Sequence, residues 1–299
     1  LGARPVHWTR IAGEAVEARA WPEPGTHSGA LVRIPKEKEA LAFALGGAAA
    51  RVPAGAVIAV AGQNAEGARS AGRQLERFAN RIETVDTRHH CRIIAGRRRA
   101  DLAGAGRELA DWRRRAPLEV DPPVPDWTSY PGLFAGGRLD DGTRLLISAL
   151  PALGGEPRVL DFACGTGVIA HAIRRLMPDA HIEAIDHDAL AVLAAGENVA
   201  GLAARTGRGL SETDLRDLDL IVSNPPLHDG IREDLTVLRT LVAEAPERLT
   251  PTGQVLLVIQ RRIRPEAFVS GGRIEVTSIC ATSRFEVHSI RFARASGKR

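Results

Sequence analysis

Two short polar motifs, each at the end of an apolar run, are the part of this sequence best suited to chemistry. Residues 158–167 read Arg-Val-Leu-Asp-Phe-Ala-Cys-Gly-Thr-Gly, and further on Asn224-Pro225-Pro226 directly follows the apolar run 220–223. A glycine turn between a strand and a helix lets the backbone and the helix N-terminus approach a nucleotide-like cofactor. An amide side chain followed by two prolines presents hydrogen-bond acceptors on a rigid backbone. Together the motifs predict a methyl donor that faces a planar amine.

The glycine turn alone is compatible with two classes of cofactor. Residues 165–170 match the dinucleotide fingerprint G-x-G-x-x-A, and Asp186 stands where an acid is expected about twenty residues later. Asp161 favours the other class, because a carboxylate at the strand end would repel a pyrophosphate but could pair with the cationic amino-acid part of S-adenosylmethionine. The dinucleotide alternative also gives Asn224 no function.

With S-adenosylmethionine as the cofactor, each residue of the turn has an expected contact. Gly165 and Gly167, together with Ala163, would contact the methionine and ribose parts. Asp186 would accept hydrogen bonds from both ribose hydroxyls, which a charged acceptor strengthens. Its neighbours His187 and Asp188 are expected to form a helix N-cap and first turn. The adenine ring needs one polar partner after the following strand, and the candidates are Ser211 and Asp214.

The Asn-Pro-Pro motif suits an amine that is a poor nucleophile. The lone pair of an exocyclic amine is delocalised into the ring, so the nitrogen must be held and turned toward the sulfonium. The side-chain oxygen of Asn224 and the carbonyl of Pro225 are the natural pair of acceptors for its N–H groups. Rate would then come from alignment and preorganised electrostatics, without a strong general base.

Residues 224–230, Asn-Pro-Pro-Leu-His-Asp-Gly, resemble the N-P-P-F-H-x-G segment of the rRNA guanine-N2 methyltransferases of the RsmC/RlmG type. The stretches 130–134 and 139–143 resemble the P-G-V-F and L-D-x-G-[ST] segments of that family, and 283–287 resembles its closing G-R-F-K-V strand. The resemblance spans roughly residues 128–294. It implies transfer of a methyl group from S-adenosylmethionine to the exocyclic N2 of a guanine in ribosomal RNA, with the small subunit favoured.

The same resemblance implies the roles of individual residues. Asn224 and Pro225 would be catalytic, and Gly142 and Thr143 would line the methionine end of the cofactor pocket. The residues expected at the base are Pro226, Leu227 and His228. Leu227 departs from the family, which has an aromatic residue there that stacks on the base, a contact worth roughly 1–3 kcal/mol.

Two other functions stay open. One is an N-methyltransferase that acts on protein glutamine or DNA adenine, because such enzymes have the Asn-Pro-Pro motif without the His-Asp-Gly extension, although they generally require the aromatic residue even more. Another is an RNA-binding or assembly factor with weak catalysis.

The first half of the chain contains a second stretch that is similar to the glycine motif. Residues 56–67 are again an apolar run into a glycine turn, but Ala59 stands where the acid would be. A proline-rich stretch, 113–131, is the best linker candidate. The predicted fold is α/β, with two tandem Rossmann-like doubly wound domains. Residues 1–120 would be a degenerate, RNA-binding copy, and 121–299 a class I methyltransferase fold with an antiparallel terminal strand near Phe285–Phe292.

Charge separates the two halves. Residues 1–120 contain 20 Lys and Arg against 13 Asp and Glu, whereas 121–299 contain 20 against 23, so the halves carry +7 and −3. Ribosomal RNA, or a ribosomal subunit, would therefore be drawn mainly to the first half. The residues expected to attract it are Arg88, Arg92, Arg97, Arg98, Arg99, Arg107 and Arg113–Arg115. Among the aromatic residues only Trp112 lies near this cluster, so recognition by shape and phosphate contacts is expected.

Several classes of protein are disfavoured. Cys91, Cys164 and Cys280 are too few and too scattered for a disulfide framework or a zinc site. No apolar run approaches the roughly 18 residues of a membrane helix, and no signal peptide is recognisable. A cytoplasmic enzyme without a metal is therefore expected.

Overall fold

The computed structural model describes residues 6–13, 17–23, 25–35, 37–102, 108–226, 228–229, 232–233, 235–268 and 273–293. The chain divides into two compact units whose segments alternate along the sequence. The N-terminal unit comprises the described residues of Leu1–Trp8, Trp21–Arg115 and Ser129–Gly136, and the C-terminal unit those of Thr9–Ala20, Ala116–Thr128 and Gly137–Arg299. The single domain boundary expected after residue 120 stays a prediction.

In the N-terminal unit the elements are β1 (Gly29–Arg33), α1 (Lys38–Ala50), β2 (Val57–Gln63), α2 (Ala68–Leu75), β3 (Ala79–Arg88) and β4 (Cys91–Arg98). Among the described residues the strands form one sheet in the order β1-β2-β4-β3. Apolar residues of both helices pack against the strands, with Leu45, Ile58 and Leu75 fully buried. The turn after β2 leads through Gly67, at φ +89°, into α2. The predicted strand, glycine turn and helix are therefore present.

The N-terminal sheet differs from a doubly wound sheet in the direction of its later strands. β1 and β2 are parallel, whereas β4 is antiparallel to both β2 and β3. The cause is a tight reversal at His89 and His90, whose φ values of 47° and 62° lie in the left-handed region. Such a two-residue turn joins β3 directly to β4 as a hairpin, so no crossover helix is needed.

Two short strands, β5 (Arg114–Leu118) and β6 (Val124–Ser129), pair with each other. In the C-terminal unit the elements that follow are α3 (Asp141–Ser148), β7 (Arg158–Phe162), α4 (Val168–Leu176), β8 (His181–Asp186), α5 (Ala189–Asn198), β9 (Ala203–Thr206), β10 (Leu218–Ser223), β11 (His228–Asp229), β12 (Arg232–Glu233), α6 (Thr236–Glu244), β13 (Leu249–Gln260), β14 (Arg273–Ala281) and β15 (Phe285–Ala293). The strands of the large sheet, among the described residues, are ordered β14-β15-β13-β10-β7-β8-β9.

The central strands of this sheet are parallel, and β15 is antiparallel to both of its neighbours. The predicted antiparallel terminal strand is thus confirmed, as is an α/β fold with two tandem domains. Apolar clusters cover the two faces of the sheet, one around Ile221 and the other around Val222. Ile221 and Val222 are neighbours in β10, and neighbouring strand residues point to opposite faces. The near-continuous apolar run of β10 is therefore typical of a strand that is buried on both sides.

The order of the strands determines where a ligand can bind. From β7 the chain proceeds outward to β8 and β9, and then returns to β10 on the other side of β7. The crevice beyond the carboxyl ends of β7 and β10 is therefore a topological switch point, where open α/β sheets bind their ligands. Register pairs Phe162 with Ser223, so the glycine turn and the Asn-Pro-Pro motif leave the sheet side by side.

Candidate cofactor and substrate site

The glycine turn after β7 is a backbone loop in the left-handed region. Ala163, Gly165 and Gly167 have φ values of 61°, 54° and 86°. A Cβ on Gly167 would lie 3.2 Å from both Cα and Cβ of Ala195, so only glycine fits where α4 approaches α5. A Cβ on Gly165 would meet nothing within 4 Å. The space above Gly165 is therefore open to a ligand.

Asp161 is buried at the end of β7 and is only partly hydrogen-bonded. Its Oδ2 accepts a hydrogen bond from the backbone N–H of Ala170 in α4 at 2.9 Å. Its Oδ1 is buried and has no hydrogen-bond partner in the described structure. Burial, and after it the neighbouring charge of Asp186, raises the pKa of Asp161 to about 7. A cation placed against Oδ1 would remove this cost.

Asp186, at the end of β8, connects the glycine turn to the two loops beside it. Its Oδ2 accepts from the N–H of Gly165 at 2.8 Å, and its Oδ1 accepts from the N–H of Asp188 at 2.9 Å. Its backbone carbonyl accepts from the N–H of Gly207 at 2.9 Å, which brings the loop after β9 alongside. The hydrogen bond to Asp186 also raises the pKa of His187. As predicted, Asp188 caps α5, accepting from the N–H of Leu190.

These residues fit S-adenosylmethionine. The unpaired Oδ1 of Asp161 suits the ammonium group, and the open space above Gly165 suits the close approach of the cofactor. The carboxylate of Asp186, at the edge of that space, has lone pairs left for ribose hydroxyls. Asp161, Gly165 and Asp186 are all residues that the sequence predicts at the cofactor, and their contacts with it stay predictions.

A partly buried polar network supports the glycine turn. The indole N–H of Trp127 donates to Thr166 Oγ1 at 3.1 Å. The Asn198 amide donates to the carbonyls of Thr166 and Thr128, at 3.0 and 2.9 Å, and accepts from the Thr128 N–H at 2.8 Å. The turn is held in position by side chains from β6 and α5, which keeps it rigid for a ligand.

Asn224, directly after β10, is anchored through its side-chain nitrogen. Its Nδ2 donates to Thr143 Oγ1 at 2.9 Å and lies 3.4 and 3.5 Å from the two carboxylate oxygens of Asp140. Asp140 is also the N-cap of α3, accepting from the N–H groups of Gly142 and Thr143 and from the Thr143 hydroxyl. Because these acceptors fix the nitrogen, the side-chain oxygen of Asn224 is left to accept from a substrate.

Thr143 therefore contacts Asn224 and Gly142 lies beside it, whereas the sequence predicts both at the methionine end of the cofactor. A Cβ on Gly142 would lie 3.1 Å from Asp140 Oδ1 and 3.6 Å from both Asn224 Nδ2 and Phe285 Cδ1. The absence of a side chain at Gly142 thus lets α3 approach the motif closely. Their contact with the cofactor stays a prediction.

The prolines continue the motif beyond the sheet. Pro225 is buried and Pro226 is exposed. Ser223, fully buried, donates from its hydroxyl to the carbonyl of Phe162 at 2.8 Å and so links the motif to the end of β7. Leu227 lies outside the described residues, and His228 is described only as part of β11.

The predicted adenine partners remain open. The N–H of Ser211 donates to a carboxylate oxygen of Glu244 at 3.0 Å, so this backbone donor is already used. Ser211 and Asp214 are both exposed in the loop after β9, which reaches Asp186 through Gly207. The selection between them stays a prediction.

A segment near the start of the chain completes the loop after Asp186. Ile11 forms a β-bridge with Asp188, Ala12 N–H donates to the His187 carbonyl at 2.6 Å, and Arg10 pairs with the Asp188 carboxylate at 3.1 Å. No motif in the sequence indicates this contact. Asp140, Trp127, Asn198 and Ser223 were likewise missed as site residues, since each acts through a partner that is distant in the sequence.

Neither a metal site nor a membrane span is found within the described residues. They contain no group of three or more His, Cys, Asp or Glu side chains that could hold a metal ion. Among these residues, no helix combines the length and the apolar character that spanning a membrane requires.

Comparison with known proteins agrees with this geometry. The family model for the methyltransferase small domain matches residues 126–289, and that for its N-terminal domain matches residues 11–115. The ribosomal RNA small subunit methyltransferase C of Pseudomonas entomophila is 32% identical over 273 residues, which cover 89% of this chain and 78% of that protein. The protein of the same name from Stutzerimonas stutzeri is 32% identical over 247 residues, 81% of this chain and 73% of that protein.

A solved structure has the same fold. The T. thermophilus 16S rRNA N2 G1207 methyltransferase (RsmC), in complex with AdoMet and guanosine, superposes with a TM-score of 0.77 at 20% identity and covers 93% of this chain and 76% of its own. At this identity the likeness concerns the fold. The two family models and the relatives in sequence show that this chain belongs to the methyltransferase small-domain family, among the ribosomal RNA small subunit methyltransferases C.

Proposed function

We propose that this protein transfers a methyl group from S-adenosylmethionine to the exocyclic N2 of a guanine in the RNA of the small ribosomal subunit. The observation that carries the proposal is the anchored Asn224, which emerges beside the glycine turn at the carboxyl ends of two adjacent parallel strands. The names of the curated relatives support the choice of RNA, and the guanosine bound to the T. thermophilus enzyme supports the choice of base.

When bound, S-adenosylmethionine supplies an electrophilic methyl group on a sulfonium. The protein's part is to position the two reactants. Asp161 would hold the ammonium group through its unpaired Oδ1, Gly165 leaves room for the cofactor to approach the backbone, and Asp186 would accept hydrogen bonds from the ribose. These three residues would hold the cofactor at the carboxyl ends of β7 and β8.

The amine is held by acceptors from the neighbouring strand. The side-chain oxygen of Asn224 and the carbonyl of Pro225 would accept one N–H each, which would turn the nitrogen of the amine toward the methyl donor. Thr143 and Asp140 prevent the Asn224 amide from rotating, because rotation would break its hydrogen bond to Thr143. If the nitrogen took the methyl group while the carbon–sulfur bond broke and the sulfonium left as a neutral thioether, the nitrogen would become acidic and could release a proton to solvent, so the site would need no strong base.

The basic first half of the chain favours ribosomal RNA over a protein glutamine, because RNA has phosphate charges that a glutamine side chain lacks. DNA adenine and protein glutamine present the same donor pattern to Asn224, so they become arms of the test. The protein would meet its substrate in the cytoplasm, which is also the compartment expected from its scattered cysteines.

The test is transfer of radiolabelled methyl from S-adenosylmethionine to ribosomal subunits and to naked rRNA from a strain that lacks this gene. We expect label in the small-subunit RNA, recovered as N2-methylguanosine. Asn224→Ala should lose this label while it still binds the cofactor in calorimetry. Label that appears only in protein or in DNA, or in none of the substrates offered, would overturn the proposal.

A further inference from the structure

The N-terminal unit contains a charged cleft that the methyl-transfer site does not use. The cleft has a volume of about 360 Å³ and lies between the first turn of α1, the end of α2 and the start of β5. It is lined by Lys38, Glu39, Gln74, Arg77, Trp112 and Arg114. Three of these side chains are cationic and one is anionic, so the lining has a positive balance. The anion, Glu39, is paired with Arg114 at 2.7 Å.

Trp112 gives this cleft an aromatic wall. Its ring packs at 75° against the buried ring of Phe43, with centroids 5.6 Å apart. Trp112 is itself only partly buried. A ring held by a buried neighbour and still partly accessible can receive a planar group without first being ordered.

A row of arginines leads along α2 to the cleft. Arg69, Arg73 and Arg77 are exposed at four-residue spacing, whereas Ala68, Ala71 and Leu75 are buried. Arg69 and Arg73 are four apart within α2 and therefore lie on one face of it, about 6 Å apart along its axis, and Arg77 follows the end of the helix. None of the three arginines has an ion-pair partner among the described residues. Arg77 belongs to both features, since it follows the last turn of α2 and lines the cleft.

We propose that this cleft and the arginine row of α2 bind a single-stranded segment of RNA, with one unpaired base against Trp112 and the adjoining phosphates on Lys38, Arg77, Arg73 and Arg69. The choice of RNA as the ligand rests on the proposed function. The choice of this surface rests on three features found together, which are its cationic side chains, the spacing of the arginines and the aromatic ring of Trp112.

The combination favours a single strand over a duplex. Single-stranded nucleic acids are bound by a cationic track for the backbone together with aromatic rings on which bases stack. In a duplex the bases are stacked on each other, so the cleft would be left empty and only the arginine row would act. Gln74 places one amide in the cleft that can donate to or accept from the edge of the base.

The test measures binding of a fluorescent single-stranded RNA oligonucleotide to the full chain by anisotropy, at several salt concentrations. Lys38→Gln/Arg77→Gln should weaken binding at least tenfold and reduce the salt slope by about one unit or more. Trp112→Leu, which keeps an apolar contact with Phe43, should weaken it about tenfold, and Trp112→Phe should restore most of the affinity. A duplex of equal length should bind more weakly and be insensitive to Trp112→Leu.

The matched control is Arg158→Gln, which removes an exposed charge at the amino end of β7. It should bind within twofold of wild type. Unchanged affinity of both cleft variants, or a wild-type protein that does not bind single-stranded RNA, would overturn the inference.

Methyl transfer distinguishes this failure from that of the proposed function. With ribosomal subunits as substrate, the cleft variants should raise KM for the RNA and leave kcat and cofactor affinity unchanged. Transfer with no effect of the cleft variants would refute the cleft alone. Sensitive RNA binding without transfer to any RNA would refute the proposed function and leave the cleft standing.

Discussion

The side-chain amide of Asn224 donates a 2.9 Å hydrogen bond to the hydroxyl of Thr143, a residue 81 positions earlier in the chain. This contact joins the end of β10 to the first turn of α3. An amide has a donor end and an acceptor end, and once the donor end is engaged the orientation of the acceptor is determined. Thr143 therefore positions Asn224 for the amine of the substrate.

Replacing Thr143 with Val tests this role, because the shape is nearly kept and the hydroxyl is lost. We expect kcat to fall about 10- to 100-fold, the effect of 1.4 to 2.7 kcal/mol of lost orientation. The KM for S-adenosylmethionine should not change, and Thr143→Ser should retain activity. A raised KM for the cofactor at unchanged kcat would instead place Thr143 in the methionine pocket, as the sequence suggested.

Asp140 performs two tasks that substitution can separate. It caps α3 and also contacts the Asn224 amide. Asp140→Ala should lower the free energy of unfolding by about 1 kcal/mol, the usual value of an N-cap, and reduce kcat as well. Asp140→Ser keeps a capping oxygen, so stability should return while kcat stays low. Recovery of both in urea unfolding and steady-state assays would show that the cap alone matters.

Asp161 should make the stability of the cofactor-free protein depend on pH. Its pKa is raised from 3.8 to about 7, so between these values the folded state keeps a proton that the unfolded state has lost. The free energy of unfolding should therefore fall as the pH rises from about 4 to about 7, and this contribution should be constant above that. Urea unfolding across this range measures the slope.

The comparison protein is Asp161→Asn, which cannot titrate and should show a flatter profile. Asp188, whose pKa burial raises to about 6, titrates in the same direction in both proteins and cancels from the difference. Equal slopes for the two proteins would contradict the assignment.

The two glycines of the turn should fail in different ways. Gly167→Ala forces a Cβ to within 3.2 Å of Ala195, in addition to the strain of a positive φ, so we expect a loss of several kcal/mol in stability. Gly165→Ala has room for its Cβ and should cost only about 1–2 kcal/mol. That Cβ would occupy the space we assign to the cofactor, so affinity should fall at least tenfold. Thermal melts and calorimetry separate these effects, and normal cofactor binding by Gly165→Ala would contradict the assignment.

Breaking the pair between Arg10 and Asp188 should weaken the loop beside Asp186. Both side chains are largely buried, at 14% and 9% exposure, so Arg10→Gln leaves a charge poorly compensated. We expect a loss of about 3 kcal/mol in stability together with weaker cofactor binding. Arg19→Gln, in the same segment, removes an exposed pair with Glu17 and should cost less than about 1 kcal/mol. Similar melting temperatures for the two variants would refute a special role for Arg10.

The parts of the site that could be predicted are those encoded locally. The apolar residues and glycines of the run 158–167 indicate a strand that ends in a glycine turn. Asn224 directly follows another apolar run, which indicates a second strand. Parallel strands bring their carboxyl ends to one edge of the sheet, so the two motifs were expected to meet. The two strands, the motif that follows each of them and the proximity of these motifs could therefore be predicted from short stretches of sequence.

The contacts that orient the site join residues far apart in the sequence, and neither residue of such a pair allows its partner to be predicted. Trp127 and Thr166 are 39 positions apart, and Asn198 reaches back 70 positions to Thr128. The hairpin of the N-terminal unit was hidden for a different reason. Its turn consists of His89 and His90 in the left-handed region, where Asn and Gly are the usual signal. The sequence therefore has no recognisable turn signal between these two strands.

The bridge between Ile11 and Asp188 affects how this protein can be dissected. The described residues of Thr9–Ala20 belong to the C-terminal unit, although Trp21–Arg115, which is 95 residues of the N-terminal unit, separates them from the rest of it in the chain. A fragment cut after the proline-rich stretch would therefore lack Arg10 and the β-bridge partner of Asp188. The catalytic half of this enzyme is continuous in space but not in sequence, so it has no single cleavage point at which it can be isolated intact.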